Sequence, residues 1–130
     1  IHPAMVRMAF KLFGDDRMIL ISDSMRATGL EDGEYDLGGQ NVIVRGNLAT
    51  LADGTIAGSA TDLASCVKWA VREADVPLAS AVKAATANAA RAIGIDAERG
   101  TIEKGKIADA VVLDENLEVK HVILRGNLLK

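Results

Sequence analysis

The sequence predicts an α/β chain, and three observations carry that expectation. A helical pattern over Pro3 to Phe13 stops at Gly14 and is followed, after a short turn, by the apolar run Met18-Ile19-Leu20-Ile21. Helix, short loop and strand is the rhythm of an α/β unit. Two further helical patterns lie between Ser59 and Ile93, and beyond them short apolar runs punctuated by Gly100, Gly105 and Gly126 predict strands.

The first helix is predicted from apolar residues at Met5, Met8, Ala9, Leu12 and Phe13, with Pro3 suited to a first turn and Gly14 to a stop. Arg7, Lys11, Asp15 and Asp16 fall outside that apolar set and are expected in solvent. Met18 to Ile21 is a short continuous apolar run, the pattern of a strand buried on both faces. Such a strand drops its last polar residue at the carboxyl end of the sheet, where α/β proteins keep their chemistry. Here that residue is Asp23. The local pattern supports two readings equally, a catalytic carboxylate and an Asp that caps the following turn.

From Met25 to Gly39 the chain reads as an irregular loop with a short strand at Glu34–Leu37. Asn41–Val44 and Leu48–Leu51 are predicted strands around Gly46-Asn47, a pair that favours a primed hairpin turn. Asp53-Gly54 opens a second turn. Thr55 to Ser59 then leads into a helix capped by Ser59 or Thr61, with Leu63, Val67, Ala70, Val71 and Ala74 on one face. A glycine ahead of a helix N-terminus can serve an anion. By itself the pattern at Gly58 favours an ordinary capped helix.

Val76-Pro77 starts another helix, expected to run to about Ile93 with Leu78, Val82, Ala85, Ala89 and Ile93 as its face. Strands are expected at Ile107–Leu113, Val119–Leu124 and Leu128–Leu129, with the first turn at Asp114-Glu115-Asn116.

Composition sets the class. Of 130 residues, 49% are apolar and 25% charged, the profile of a globular protein rather than a disordered one. No apolar run approaches the roughly 20 residues that span a bilayer, so no membrane partner is expected. The net charge of −3 argues against a general nucleic-acid binder. A single cysteine, Cys66, rules out an internal disulfide and suits a reducing, cytoplasmic compartment. It sits in a helical pattern and is expected to be packing, not a nucleophile. Aromatic content of only 3% is thin for a self-sufficient core, and the chain opens inside a pattern, so a piece of a longer protein is expected.

The most specific stretch is Gly100-Thr101-Ile102-Glu103-Lys104-Gly105-Lys106-Ile107-Ala108-Asp109-Ala110-Val111-Val112-Leu113-Asp114, followed by Val119, Val122 and Gly126. It resembles the C-terminal stretch of the amidohydrolase superfamily, where metal-dependent hydrolases return from a barrel to a small β-sandwich. These residues read as structural. Ile21 to Leu30, Asp32-Gly33-Glu34-Tyr35, Leu37-Gly38-Gly39 and Leu51 to Ser59 resemble, in order, the N-acetylglucosamine-6-phosphate deacetylase family.

The resemblance implies the C-terminal part of a metal-dependent (β/α)8 barrel plus strands of a small β-sandwich. Residues 1–33 would be the last helix–strand part of the barrel with the catalytic loop, 34–54 a β-ribbon, 55–99 the C-terminal barrel helices and 100–130 sandwich strands. Asp23 would be the catalytic carboxylate, and Ile56, Ala57 and Gly58 would lie against the sugar phosphate. The cofactor would be a divalent metal ion, zinc or iron, with its Glu and two His ligands outside this chain; Asp23 would stand near it. A substrate-contacting His of the family aligns immediately before Ile1, so His2 is not its equivalent. His2 is expected at the surface and His121 to be structural.

The implied reaction is hydrolysis of the acetamide of N-acetylglucosamine 6-phosphate to glucosamine 6-phosphate and acetate, in a homodimeric enzyme. This chain alone is expected to be inactive, because a carboxylate without an activated water has nothing to deprotonate. Other readings are a hydrolase of cyclic amides and a non-catalytic sandwich or assembly module. An Asp-nucleophile phosphatase is disfavoured, since its second Asp would fall at Met25.

Overall fold

The computed structural model describes residues 1–129. Its elements are α1 (Pro3–Phe13), β1 (Gly33–Leu37), β2 (Gln40–Arg45), β3 (Leu48–Thr50), β4 (Ile56–Ser59), α2 (Leu63–Arg72), α3 (Leu78–Ala85), α4 (Ala87–Ala92), β5 (Ala110–Leu113), β6 (Val119–Leu124) and β7 (Asn127–Leu128). This mixture of helices and sheets is an α/β chain. It divides into two compact units, one of residues 21–66 and one of residues 1–20 with 67–130.

The unit of residues 21–66 is a four-stranded antiparallel sheet in the order β1-β2-β3-β4. Gly38 and Gly39, both at positive φ, make the two-residue turn between β1 and β2. The sequence reading missed that hairpin, although Gly-Gly between apolar runs is its signal. The expected turn at Gly46-Asn47 is present, with Arg45 paired to Leu48 and Gly46 at φ +57°. Alternation puts Val42, Val44 and Ala49 on one face, fully buried beneath Met25 and Ala27 from the preceding loop. Tyr35, Leu37, Leu51, Ala57 and Ala60 close this small core.

The other unit is built on helices. α1 begins as expected, with Pro3 in its first turn, and ends at Gly14, whose N–H donates to the Phe10 carbonyl. His2 is its N-cap; its Nδ1 accepts from the Ala4 N–H at 3.2 Å. The buried face is not the expected one. Phe10 is buried and Val6 packs beside it, while Met5, Met8, Leu12 and Phe13 remain exposed. The helix is apolar on two sides, and spacing alone does not say which side packs.

The core of this unit joins Phe10 to Val67, Ala70, Ala74, Val76, Ala81 and Ala84. The long helix expected to Ile93 is two. Thr86 (φ −129°, ψ −85°) breaks it between α3 and α4, and its hydroxyl donates back to the Val82 carbonyl at 2.7 Å. The buried face is Ser80, Ala81, Ala84, Asn88 and Ala90, whereas the expected Leu78, Val82 and Ile93 are exposed. Small residues win this face because backbone comes close to it. Gly100, at φ +95°, lies so near α4 that a Cβ there would meet the Ala90 Cβ at 2.7 Å.

Met18–Ile21 is the clearest correction: it lies in no strand. Met18 and Leu20 pack on the helical core while Ile19 and Ile21 are exposed, so the run is not buried on both faces. A strand is defined by its ladder partners, and this segment is held instead by helices. The Leu20 N–H donates to the Ala84 carbonyl at 3.1 Å. The buried Asn88 amide donates to the carbonyls of Asp15 and Met18 at 2.6 and 2.8 Å. Asp15 accepts from the Ser80 hydroxyl at 2.6 Å, Asp16 pairs with Lys83, and Arg7 pairs with Asp75. Asp15 and Asp16 are exposed as expected, and with the half-buried Arg7 they also tether the unit.

The tail folds as β5-β6-β7, an antiparallel sheet close to the expected one; its first strand starts at Ala110 rather than Ile107. Asp114 shapes the first turn, its Oδ1 accepting from the Asn116 and Glu118 N–H groups at 2.9 Å each.

Candidate active site

The segment Ser22-Asp23-Ser24 enters the four-stranded unit beside the end of β4. Ser24 and Ser59 form a parallel bridge. The Ser59 N–H donates to the Asp23 carbonyl at 3.3 Å, and the Met25 N–H donates to the Ser59 carbonyl at 2.9 Å. One residue of β4 therefore grips the backbone on both sides of Ser24, starting at the carbonyl of Asp23 itself. The grip continues through side chains. The Ser22 and Ser24 hydroxyls lie 2.6 Å apart, and Ser24 Oγ lies 2.6 Å from the Thr61 carbonyl oxygen, which can only accept.

Asp23 has φ +52°, the left-handed region, which Asp tolerates better than most residues. This turn takes the residue out of the line of the chain. Its side chain is exposed, and among the described residues no hydrogen bond or ion pair reaches its carboxylate. The sequence reading that made Asp23 a turn cap has no support here, because a capping carboxylate accepts a nearby N–H and this one does not.

Ile56, Ala57 and Gly58 form most of β4, which the sequence reading treated as a lead into a helix. Ala57 packs on the sheet core, and Ile56 on the other face is exposed. A Cβ placed on Gly58 would approach nothing closer than Met25 at 3.8 Å, and Gly58 is not in the left-handed region. The fold itself therefore does not require glycine there. Glycine inside a strand often marks close approach of another group. The structure thus brings Asp23 and Ile56–Gly58 to one corner of the sheet, joined through Ser59. Ser59 carried no sequence signal beyond its suitability as a cap.

The helix that follows is capped by Asp62, whose Oδ1 accepts from the Ser65 N–H at 2.7 Å, and not by Ser59 or Thr61. Ser59 Oγ instead accepts from the Thr61 N–H at 3.0 Å. The Cys66 thiol is partly buried, and burial, aided by the nearby Asp62 carboxylate, pushes its pKa up. It is not an activated nucleophile. Among the described residues no group of three or more His, Cys, Asp or Glu side chains is arranged to hold a metal ion. No helix among them is long and apolar enough to cross a membrane.

The signature of the tail has a physical explanation. Asp109 Oδ1 accepts from the Arg125 N–H at 2.8 Å and Oδ2 from Arg99 Nε at 2.9 Å. These bonds, the backbone one first, hold the Asp109 carboxyl below the usual carboxylate range. Lys106 Nζ donates to the Asp96 carbonyl and the Thr101 hydroxyl at 2.7 and 2.6 Å. The Gly-Lys-x-Ala-Asp stretch is a clasp. His121 lies on β6.

The family model described as "Amidohydrolase family" matches residues 15–129. The N-acetylglucosamine-6-phosphate deacetylase of Bacillus subtilis is 39% identical over 98% of this chain, which spans 32% of that relative's length. A putative N-acetylgalactosamine-6-phosphate deacetylase of Escherichia coli is 34% identical over 98% of this chain and 76% of its own. Among solved structures, N-acetylglucosamine-6-phosphate deacetylase from Pasteurella multocida superposes with a TM-score of 0.93 at 28% identity, covering 98% of this chain and 34% of that one. A D267A mutant of the Mycobacterium smegmatis enzyme, in complex with N-acetyl-D-glucosamine-6-phosphate, matches with a TM-score of 0.91 at 35% identity, over 98% and 34%. The chain belongs to the amidohydrolase family.

Proposed function

We propose that this chain is the C-terminal third of a metal-dependent deacetylase that hydrolyses the acetamide of N-acetylglucosamine 6-phosphate. The observation that carries the proposal is the partner-free carboxylate of Asp23, held on a left-handed turn beside β4 by Ser59. The relatives named for this reaction, and the sugar-phosphate complex of one of them, support it.

In this reading residues 1–33 belong to the end of a (β/α)8 barrel, 34–54 to a β-ribbon, 55–99 to the closing barrel helices and 100–130 to a small β-sandwich. The working enzyme is a cytoplasmic homodimer. Asp23 is the residue of this chain suited to stand at a divalent metal, zinc or iron, because both its carboxylate oxygens are free of protein donors; the other ligands lie outside this chain. When bound, the metal supplies an acidified water and polarises the acetyl carbonyl.

The work of this chain is proton transfer and placement. Asp23 accepts a proton at its carboxylate oxygen as water attacks the amide, and returns it to the departing amine nitrogen. The β4 segment Ile56-Ala57-Gly58 lies along the sugar phosphate, and Gly58 leaves the room of one side chain for it. Ser59 keeps the two together.

The test uses the intact polypeptide, loaded with metal. N-acetylglucosamine 6-phosphate, its galactosamine epimer and a cyclic amide are assayed for acetate or ring opening. Hydrolysis of an acetamido sugar phosphate that Asp23→Asn abolishes is the expected result. Ring opening without deacetylation would replace this reading with that of a cyclic amidohydrolase. Neither activity, in a protein that binds metal, would favour a non-catalytic module.

A further inference from the structure

We infer that the Ser59 hydroxyl, by fixing the backbone groups that bond the Asp23 segment, makes Ser59 a positioning residue for the Asp23 carboxylate and couples this group to the sugar-binding strand. The inference rests on the reading of Asp23 as the acid–base group. Three observations meet at Ser59. Its N–H and carbonyl bond the backbone on the two sides of Ser24, at the carbonyl of Asp23 itself and at the Met25 N–H. It is the last residue of β4, directly after Ile56-Ala57-Gly58. Its own orientation is set by the bond from the Thr61 N–H to Ser59 Oγ at 3.0 Å, while the Thr61 carbonyl oxygen lies 2.6 Å from Ser24 Oγ.

The physical need for such a device is plain. A left-handed Asp is a sparsely populated conformation that persists when its surroundings over-determine it. The Asp23 carboxylate has no hydrogen bond of its own among the described residues, so nothing acts on the carboxylate directly. Its place is set through the backbone: Ser59 holds the Asp23 carbonyl and the residue after it, and the Ser22–Ser24 hydroxyl contact spans Asp23. A side-chain hydroxyl that closes a local turn on its own backbone is a common way to fix such a joint. Because Ser59 also ends β4, the carboxylate and the strand move as one piece. A shift of about 1 Å in an acid–base group is enough to cost a large part of its rate.

The test is made in the intact, metal-loaded enzyme with Ser59→Ala, Ser59→Thr and Asp23→Asn measured side by side. Ser59→Ala removes the acceptor for Thr61 and is expected to lower kcat about three- to tenfold, the effect of one ordinary hydrogen bond, with KM held within about twofold. Ser59→Thr keeps the hydroxyl and restores kcat. Thr61→Pro removes the donor of the same bond, leaves Ser59 in place, and gives the same selective loss of kcat. If Ser59→Ala keeps the full kcat while Asp23→Asn is inactive, the positioning role is wrong and the acid–base reading stands. A rise in KM at constant kcat would also overturn the inference, since Ser59 would then shape only the sugar strand. Loss of the native circular-dichroism spectrum in both Ser59→Ala and Thr61→Pro would make the bond a folding requirement and overturn it too. Full activity in Asp23→Asn would instead remove the reading on which the inference rests.

Discussion

Asp23 and Asp109 both follow apolar or small residues at the edge of a sheet, and the molecule treats them in opposite ways. Asp109 spends both carboxylate oxygens on the chain, one on the Arg125 N–H and one on Arg99. Asp23 spends neither, and the surrounding bonds go to its backbone and to the serines on either side. A structural carboxylate is satisfied in the folded chain by itself. A carboxylate left unsatisfied, with its backbone constrained instead, is the one we propose for the reaction. The number of protein donors on each oxygen, and not sequence position, separates the two residues.

The largest expected effect would break the comparison at Asp23. In the intact enzyme Asp23→Asn should reduce kcat by on the order of 10²–10⁴, the usual share of a general acid–base group. Its melting temperature should stay near that of the parent, because an exposed side chain without partners contributes little to folding. A large loss of stability would put Asp23 in the structural class.

Gly100→Ala should do the reverse, costing about 1–3 kcal/mol of stability with kcat per folded molecule unchanged. Its Cβ would stand 2.7 Å from the Ala90 Cβ and 3.2 Å from the Ala87 Cα, in a left-handed conformation. Chemical denaturation beside a kcat measurement checks both halves.

Asp109→Asn should lower the melting temperature without changing kcat, by less than Gly100→Ala, because the clasp is solvent-exposed. Its pH dependence sharpens the contrast. Folding depresses the Asp109 pKa. Its contribution is therefore present above the ordinary carboxylate value of about 4 and lost as pH falls through the lower folded value. Melting curves of parent and variant should differ at neutral pH and converge in acid. The smallest effect concerns Cys66. With its thiol pKa raised by burial, its alkylation at neutral pH should be slower than that of a free cysteine, and activity should survive it.

Much of this was legible in the sequence. The α/β class, α1 with its Pro3 start and Gly14 stop, the Gly46-Asn47 hairpin and the three tail strands follow from spacing, β-branched runs and turn residues. These are local preferences, and local preference decides them. The elements misread are those whose outcome depends on a partner. Thr86 has no strong breaking propensity, and the split between α3 and α4 is a tertiary choice. The buried faces of α1 and α3 depend on which apolar side meets the core. Met18–Ile21 has the composition of a strand, and it is held by Asn88 and Ala84 in place of a ladder.

The site divides along the same line. The sequence by itself singled out Asp23 and the Ile56–Gly58 segment as the candidate site, and placed Asp109 in a structural signature. Chemical identity and family pattern are written residue by residue. Only the tertiary structure decided that β4 is a strand and that its last residue, Ser59, grips the chain on both sides of Ser24, at the carbonyl of Asp23. Those bonds join positions 36 and 34 residues apart through backbone groups that every sequence shares. No side-chain pattern announces which backbone groups will meet, so that joint is visible only in the fold.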